Sequence, residues 1–428
     1  MFRWRSVLQL LPVLLFLLLA GCYPEAGRRE MEALPLTGDV IVVGSGIAGL
    51  TAALEAAKHG AAVVLCYNEL QDDRWMWSGG ALTAGDGNTT ETLLEALVVF
   101  GEGQGKTWHY ELLAGRADED LAWLAGETGL LLMQEGMFRV LPDNISYSQA
   151  QNRLIDSALG EGIRFIEGAV PQALIIDEKG NAGGMTLLDS SGTQHAAYAP
   201  SIILADGGCL NNPGLLQELD PKIDVISLRG GGEAAGVKLA RAAGLDLIDE
   251  GEFSYIPAVE ENEKWVEVEP PPGTLLIVDG QIIPCSQQDA SSVVRLLLNN
   301  AFGKGYLVVA ESTLPPAYEL GWPRYAGIDA FMEAYMIDLP SLRHWFSNPY
   351  GCFCGCPVKA AAAYCLGGVA VDEWGRVLRD GRPVEGLYAI GETAGGLNGT
   401  ALMPGTALTE AITWGRRVGE IAALRVRE

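Results

Sequence analysis

Three glycines, Gly44, Gly46 and Gly49, follow a run of four β-formers and open a segment rich in Ala and Leu. In a strand–turn–helix with G-x-G-x-x-G spacing, the first glycine makes the tight turn, the second lets the backbone approach a pyrophosphate, and the third lets the helix pack closely on the strand. The phosphates then accept hydrogen bonds at the positive end of the helix dipole. The pattern predicts a dinucleotide site at Gly44, Ser45, Gly46, Ala48 and Gly49; a glycine-rich turn without a ligand is the alternative.

The elements that must position this turn are a strand before it, a helix over 47–58 after it, and a second strand over 62–66. The second strand is continuously apolar, which is typical of a parallel sheet buried on both faces. Sites of this kind place an acidic residue at the end of that strand, where it binds a ribose hydroxyl. Here that position holds Tyr67, so we assign the ribose contact to the next residues, Asn68 and Glu69.

Strand and helix patterns continue along the chain and are interrupted once. We predict helices over 90–102, 107–127, 233–243 and 405–424, β-strands over 168–177, 184–188, 193–198, 201–204 and 386–392, and a hairpin over 369–378. From about residue 253 to residue 352 prolines cluster and the strand–helix alternation is lost, which indicates an inserted domain. The sequence therefore predicts an α/β fold, with a discontinuous Rossmann-like domain over 38–250 and 353–428 and an α+β capping domain over 251–352.

Charge and composition exclude several classes of function. The 428 residues are 49% hydrophobic and carry a formal net charge of −25, which disfavours nucleic acid or an anionic membrane surface as a binding partner. No two of the four histidines have the spacing of zinc ligands, so we expect no metal site and no metal-dependent hydrolysis.

The N-terminus has the pattern of a targeting segment. Two arginines precede an apolar run over 7–19, which is short for a bilayer span and predicts a signal peptide over 1–21. The run ends in Leu19-Ala20-Gly21-Cys22, which resembles a bacterial lipobox, so we predict lipidation of Cys22 and a tether over 22–37. The predicted location is the bacterial cell envelope, with the chain exported and lipid-anchored to the periplasmic or outer face of the membrane. An ordinary signal peptide with a chance cysteine is the alternative.

Several further motifs occur in family order, and together they resemble the FAD-dependent flavoproteins of fumarate reductase, succinate dehydrogenase, aspartate oxidase and ketosteroid dehydrogenase. Besides the Gly44 turn, the motifs are Ser78-Gly79-Gly80, IILADGG over 202–208, NPGLL over 212–216, LGGVAVD over 366–372, GLYAIGE over 386–392 and GGLNGTALMPGTAL over 395–408. The resemblance covers residues 38–428 and implies FAD as the cofactor of a discontinuous FAD-binding domain.

The resemblance also implies which residues hold the flavin. Glu392 would bind the ribityl hydroxyls, and the helix beginning at Thr406-Ala407-Leu408 would direct its N–H groups at the pyrimidine edge, where reduced flavin carries negative charge. The remaining predicted contacts are Ser78, Gly79, Gly80, Ala205, Asp206, Gly207 and Gly391. The family's covalent-flavin histidine has no counterpart near Asp73, so we predict noncovalent FAD.

The substrate positions depart from the family pattern. The cationic residues with which fumarate reductases hold a dicarboxylate correspond here to Ile256, Tyr364, and Leu402 or Met403, and the arginine that delivers the proton corresponds to Ile282. Without those cations, burying a dianion would cost several kcal/mol. We therefore predict an apolar or neutral small-molecule substrate in place of fumarate or succinate. Tyr364 is the candidate proton-transfer residue and Tyr255 the second candidate, because ketosteroid-type relatives use tyrosines; ordinary packed aromatics are the alternative.

Three functions remain open. The first is an oxidoreductase that transfers hydride at flavin N5 and exchanges electrons with a separate carrier, such as a cytochrome or quinone-linked protein, since no haem motif occurs. The second is a flavin-binding electron-transfer or assembly subunit that has lost its substrate chemistry. The third is a dicarboxylate reductase with relocated cations, for which Arg229, Lys359 and His344 are available.

Four cysteines cluster where the inserted domain ends: Cys352, Cys354, Cys356 and Cys365. Their C-x-C-x-C spacing does not match common iron–sulfur or zinc sites. A disulfide or redox-active thiol pair, inert thiols, and a metal or cluster all remain open.

Overall fold

The computed structural model describes residues 28–29, 36–71, 76, 79–85, 87–142, 144–219, 232–261, 264–285, 290–299, 304–314 and 320–427. The predictions for the signal peptide over 1–21, for Cys22, for Ser78 and for Arg229 lie outside these residues. No helix in the described part of the chain is both long and apolar enough to cross a bilayer.

Both β-strands and α-helices occur in each half of the described chain. The strands are β1 (Arg28–Arg29), β2 (Leu36–Thr37), β3 (Val40–Val43), β4 (Val63–Tyr67), β5 (Ala81–Leu82), β6 (Met133–Glu135), β7 (Phe138–Val140), β8 (Arg164–Glu167), β9 (Val170–Ile176), β10 (Ala182–Leu188), β11 (Gln194–Tyr198), β12 (Ser201–Leu204), β13 (Leu247–Ile248), β14 (Phe253–Glu261), β15 (Lys264–Glu267), β16 (Leu275–Val278), β17 (Gln281–Pro284), β18 (Lys304–Ala310), β19 (Arg324–Ala326), β20 (Cys352–Cys365), β21 (Gly368–Val369), β22 (Arg376–Arg379) and β23 (Arg382–Ala389). The α-helices are α1 (Ile47–Lys58), α2 (Thr90–Phe100), α3 (Thr107–Thr128), α4 (Tyr147–Gly160), α5 (Pro213–Leu219), α6 (Ala235–Ala242), α7 (Ala290–Leu298), α8 (Ile328–Ala334) and α9 (Thr406–Arg425). Short 3-10 helices cover Glu311–Thr313, Pro340–Trp345 and Gly391–Thr393.

The first sheet has the strand order β1-β8-β4-β3-β12-β23-β22. Its neighbouring strands run parallel, except that β23 and β22 form an antiparallel hairpin. The chain passes from β3 to β4 on one side and later reaches β12 on the other, so the strand order reverses at β3. In open α/β sheets a ligand binds outside the carboxyl ends of the strands at such a reversal. The Gly44 turn lies at this point.

Helices α1 and α9 pack closely together on this sheet because α9 carries glycines where the two cross. A Cβ added to Gly415 would lie 2.7 Å from Thr51 Cβ, and one added to Gly419 would lie 2.5 Å from Ala52 O. Any side chain at either position would force the helices apart. The contact fixes the N-termini of α1 and α9 relative to each other.

The second sheet is antiparallel, with the order β15-β14-β20-β18-β16-β17 and with β19 also paired to β20. Strand β20 runs through Cys365, so it crosses the boundary predicted between residues 352 and 353. Cys354 packs on one face with Val293 of α7, while Phe353 packs on the other with Phe331 of α8. The long apolar run of β20 therefore belongs to a strand covered on both faces.

Smaller sheets complete the fold. Strands β2, β11, β10 and β9 form a four-stranded sheet that contains the predicted meander. Within the predicted tether over 22–37, the described residues form the two short strands β1 and β2, which pair with β8 and β11. The domain boundaries remain a prediction, whereas the mixed α/β class is confirmed.

The sequence interpretation missed α4, β8 and the hairpin formed by β22 and β23. Helix α4 begins with a capping box, in which Ser146 and Gln149 bond each other's backbone N–H groups, and this S-x-x-Q pattern is a sequence signal for a helix start. The hairpin predicted over 369–378 is present as antiparallel pairing, in which Val371 is bridged to Val377 and Leu378 N–H donates to Ala370 O. A second hairpin, formed by β22 and β23, follows it. Its two-residue turn is Asp380-Gly381, with φ of 50° and 69°, and Asp-Gly is a strong signal for such a turn.

Candidate active site

The Gly44 turn requires its first and third glycines. Gly44 has φ +112°, and a Cβ added there would lie 2.3 Å from Ala205 O; one added to Gly49 would lie 2.1 Å from Gly44 O. Gly46 is the N-cap of α1, and no side chain caps the helix. This is the local structure of a helix N-terminus that receives an anion.

A cavity of about 280 Å³ opens beside this turn at the carboxyl ends of β3, β4 and β12. Gly44, Ser45, Asn68, Glu69 and Asp206 all border it. The Ser45 hydroxyl accepts a hydrogen bond from the backbone N–H of Gln71 at 3.0 Å and donates to Glu69 O at 3.3 Å, so it holds the loop after β4 in place.

The residues at the end of β4 all border the cavity but differ in exposure. Tyr67 is buried and packs edge-on against Phe165, with ring centroids 6.2 Å apart. Asn68 and Glu69 are exposed at the cavity rim. The two residues assigned to the ribose contact therefore have polar side chains available at the cavity.

Asp206, at the other side of the cavity, caps α6. Its carboxylate accepts hydrogen bonds from the backbone N–H groups of Ala235 and Gly236, the latter at 2.7 Å. Burial raises the pKa of Asp206 to about 6, although these N–H groups lower it. The carboxylate is thus already engaged with protein donors.

A narrow cleft of about 10 Å³ lies on the other side of the Gly44 turn, and Gln71 borders both spaces. The cleft brings together residues from distant parts of the chain that the sequence assigned to one site: Gly46, Ala48, Ala205, Gly207, Tyr364, Gly391, Glu392 and Ala407. Neither space is bordered by Gly49, Gly79, Gly80, Thr406 or Leu408. The segment after Gly80 is nevertheless held against α9, because Leu82 N–H donates to Thr409 Oγ1 at 2.8 Å.

Tyr364, at the end of β20, belongs to a buried polar network beside the cleft. Its hydroxyl donates to Glu410 Oε1 at 3.0 Å, and Asn398 Nδ2 donates to Glu410 Oε2 at 2.7 Å. Trp414 Nε1 donates to His109 Nδ1 at 3.1 Å, so a neutral His109 carries its proton on Nε2, which lies 3.1 Å from Asn398 Oδ1. These five side chains form one continuous hydrogen-bonded chain from α3 to β20.

Burial controls the ionisation of this network. It raises the pKa of Glu410 to about 7, although the hydrogen bonds from Asn398 and Tyr364 lower it. Burial lowers the pKa of His109 to about 4, so the imidazole is neutral at pH 7. Burial and the charge of Glu410 raise the pKa of Tyr364 well above its usual value. Glu410 is therefore the member that gains or loses a proton near neutral pH.

Comparison with known proteins identifies the family. The family model for an FAD binding domain matches residues 39–258 and 324–408. The chain belongs to this family.

Its relatives have one fold and several activities. The flavoprotein is 27% identical over 91% of its length to L-aspartate oxidase from Streptomyces coelicolor and covers 69% of that protein. A flavocytochrome c3 fumarate reductase in an open conformation superposes with a TM-score of 0.76 at 19% identity, over 92% of this chain and 79% of that one. A 3-ketosteroid-Δ4-(5α)-dehydrogenase from Rhodococcus jostii RHA1, in complex with 4-androstene-3,17-dione, gives 0.74 at 16% identity, over 93% and 99%. The predicted family, oxidoreductase class and FAD cofactor are confirmed.

Two observations fit FAD at this site. The cleft is lined by small residues: a Cβ added to Gly391 would lie 3.0 Å from the Cβ of Ala48, and Ala407 lies on the same cleft. Thr406 is 1% exposed, and its hydroxyl has no hydrogen-bond partner among the described residues. A buried hydroxyl at the N-terminus of α9 is where the sequence placed the flavin pyrimidine edge, and a polar ligand atom would satisfy it.

The remaining substrate-site candidates lie apart from the cleft. Tyr255 packs edge-on against Phe253, with ring centroids 6.0 Å apart, and does not border the cleft. The Lys359 ammonium lies 4.8 Å from the centroid of the Trp265 ring, and His344 is exposed in a 3-10 helix. No lysine, arginine or histidine is among the described residues that border the cleft.

Sequence reasoning missed Glu410, Asn398 and His109. Glu410 and Asn398 lie inside or beside the C-terminal motif, but their types alone are those of an ordinary surface helix and loop. The available signal was the position of Glu410, four residues after Thr406 and hence on the same face of α9.

Proposed function

We propose that this flavoprotein transfers hydride between flavin N5 and a neutral, largely apolar small molecule, such as one with an activated C=C bond. The observation that carries this proposal is the buried Tyr364–Glu410 hydrogen bond at a cleft bordered by no described cation. FAD supplies the acceptor or donor of the hydride. The protein must supply a proton and an environment suited to the substrate.

The charges near the cleft oppose a dianionic substrate. Glu392 borders the cleft and is 3% exposed, and Glu410, when ionised, adds a negative charge one hydrogen bond behind Tyr364. Like charges in a desolvated site repel, and no described cation at the cleft offsets them. A neutral ligand avoids this cost. The Rhodococcus dehydrogenase of similar fold is bound to 4-androstene-3,17-dione, a neutral steroid, which supports this substrate class.

Tyr364 and Glu410 form the proton-handling pair in this proposal. Tyr364 borders the cleft and donates its hydroxyl proton to Glu410 in the resting arrangement. Rotation of that O–H toward a substrate lets Tyr364 protonate it, and a protonated Glu410 then returns a proton to the tyrosine oxygen. A carboxyl with a pKa of about 7 is half protonated at neutral pH, which suits it to this role. Asn398 and His109 hold Glu410 in position.

The experiment is anaerobic mixing of chemically reduced holoenzyme with a panel of neutral enones and, in parallel, with fumarate. We expect at least one enone to reoxidise the flavin faster than buffer does, whereas fumarate does not. Reoxidation by fumarate alone would contradict the proposal and favour the dicarboxylate alternative.

Electron supply and location belong to the same proposal. We assign electron exchange to a separate cytochrome or quinone-linked protein, in line with the flavocytochrome c3 among the similar folds.

The FAD is noncovalent, and the protein is exported and anchored through a lipid on Cys22. Denaturation with acid releases noncovalent FAD into the supernatant. Metabolic labelling with palmitate tests the anchor, and Cys22→Ala is expected to abolish both the label and membrane association.

A flavin-binding electron-transfer or assembly subunit is the second candidate. It is favoured by the burial of Tyr364, which is 2% exposed, and by the narrowness of the cleft. Failure of every neutral substrate, together with rapid reoxidation by a cytochrome or quinone, would support this candidate over the first.

A further inference from the structure

Cys209 and Cys365 form a close thiol pair that links the two sheets. Their Sγ atoms lie 3.1 Å apart, and the backbone N–H of Cys209 donates to Cys365 Sγ at 3.1 Å. Cys209 lies in the loop after β12 of the first sheet, and Cys365 is the last residue of β20 in the second. The sequence grouped Cys365 with Cys352, Cys354 and Cys356; the structure places it beside Cys209.

The surroundings of the pair hold it in position. A Cβ added to Gly208 would lie 2.6 Å from Cys365 Sγ, so glycine is needed for the loop to approach the thiol. The backbone N–H of Cys365 donates to Glu392 Oε1 at 2.7 Å. The backbone on both sides is therefore fixed, and little freedom is lost if the sulfurs become bonded.

The pair borders a small cavity on the side away from the flavin cleft. Its lining includes both cysteines, Leu215, Val237 and Phe253, with Glu250 and Glu252 also present. The side chains are 5% and 3% exposed for Cys209 and Cys365 respectively. The cavity is only about 20 Å³, so a disulfide reagent reaches the thiols when the packing around them opens locally.

We infer that Cys209 and Cys365 are a disulfide-forming site that a small-molecule disulfide oxidises. The resulting disulfide bonds the loop after β12 in the first sheet to the end of β20 in the second. The inference does not depend on the substrate of the flavoprotein.

The reaction is thiol–disulfide exchange in two steps. Cys209 thiolate attacks one sulfur of the small disulfide, which breaks that S–S bond, forms a mixed disulfide and releases one small thiol. Cys365 thiolate then attacks Cys209 Sγ, which breaks the mixed disulfide, forms the protein disulfide and releases the second small thiol. The two cysteines lose two electrons and two protons, and the small disulfide is reduced to two thiols.

The order of the steps follows from the environment of each sulfur. The hydrogen bond with Cys209 and burial both raise the pKa of the Cys365 thiol, so little of it is thiolate at neutral pH. Exchange begins at Cys209, the more exposed residue of the pair at 5% against 3%. Once Cys209 carries the mixed disulfide, Cys365 is already adjacent to the sulfur that it must attack.

The test treats the reduced full-length holoprotein with excess oxidised glutathione, denatures it with an alkylating agent, and maps the peptides by mass spectrometry. We expect a cross-linked Cys209–Cys365 peptide that dithiothreitol abolishes, and a rise of roughly 5 °C in the unfolding midpoint Tm. Full alkylation of both cysteines after oxidation would overturn the inference, and so would cross-linking of Cys365 to Cys352, Cys354 or Cys356.

Two variants separate the pair from a general thiol effect. Cys365→Ser is expected to stop at a glutathione adduct on Cys209 and to show no rise in Tm. Cys285→Ser, which removes another buried thiol, is the matched control and is expected to form the cross-link as the wild type does. A Cys285→Ser protein without the cross-link would also count against the inference.

Discussion

Replacing Glu410 with Gln tests whether the buried carboxyl beside Tyr364 holds its proton into the neutral pH range. Glutamine has nearly the same shape, and its amide oxygen can accept from Asn398 Nδ2 while its amide nitrogen donates to the Tyr364 oxygen. The variant therefore keeps the packing and two hydrogen bonds but cannot ionise. Any difference in the pH dependence of stability between the two proteins belongs to the carboxyl group.

The size and sign of that difference follow from the pKa of Glu410. Burial raises it from 4.5 to about 7 in the folded protein. Between these values the folded state binds a proton that the unfolded state has lost, so wild-type stability falls as pH rises through this window and is unaffected by this group above it. The fall is about 3 kcal/mol over the whole window. Because Glu410 is fully buried, solvent screening does not reduce it.

The measurement is the free energy of unfolding by urea for both proteins, at intervals from pH 5 to pH 8. We expect the stability of E410Q relative to wild type to increase by about 3 kcal/mol across this range, with Tm moving by about 3 °C. Glu333→Gln, at an exposed position on α8, is the control and should show no such trend. A difference that stays flat with pH would refute the assignment of a raised pKa to Glu410.

Three further predictions concern the flavin site. Tyr364→Phe removes the proposed proton donor and is expected to slow reduction of a neutral substrate by roughly 10² to 10⁴-fold. The visible flavin spectrum of the purified variant should be retained. Unchanged turnover would exclude Tyr364 from proton transfer. Gly49→Ala places a Cβ 2.1 Å from Gly44 O and is expected to abolish FAD binding measured by flavin content, whereas Gly115→Ala, which meets nothing within 4 Å, should leave it intact. Thr406→Val removes the buried hydroxyl and is expected to weaken FAD binding roughly fivefold, by about 1 kcal/mol, in a titration of apoprotein. An unchanged Kd would show that this hydroxyl does not contact the cofactor.

The extent to which sequence predicts this molecule depends on how local each feature is. The Gly44 turn and the helix after it are set by residues within one short segment, so spacing alone located them. The network of His109, Asn398 and Glu410 joins α3 to a loop and helix much later in the chain, and His109 and Asn398 are 289 positions apart. None of these residues lies in a pattern that predicts burial of a charge. Their role depends on tertiary packing, which a single sequence does not specify.

Strand β20 shows the same limit for domain boundaries. Composition changes near residue 352, and the family resemblance places the second part of the flavin domain there. Hydrogen bonding does not follow that change, because residues up to Cys365 pair with β14 of the second sheet. This pairing matters for function because β20 is anchored in the second sheet and its last residues, Tyr364 and Cys365, reach the first sheet.

Helix α9 connects these features, and its sequence accounts for why one element can serve them all. Its N-terminus supplies Thr406 and Ala407, one turn further Glu410 meets Tyr364, and the next turn presents Trp414 to His109. Where α9 crosses α1, Gly415 leaves room for Thr51. This close contact fixes the position of α9 against α1, the helix that follows the Gly44 turn. A shift of α9 along its axis would therefore move the predicted flavin edge and the proton-holding carboxyl together. In the proposed mechanism the flavin contact and the proton-holding carboxyl keep a fixed spacing because one helix carries both, and the glycine contact with α1 holds that helix in place.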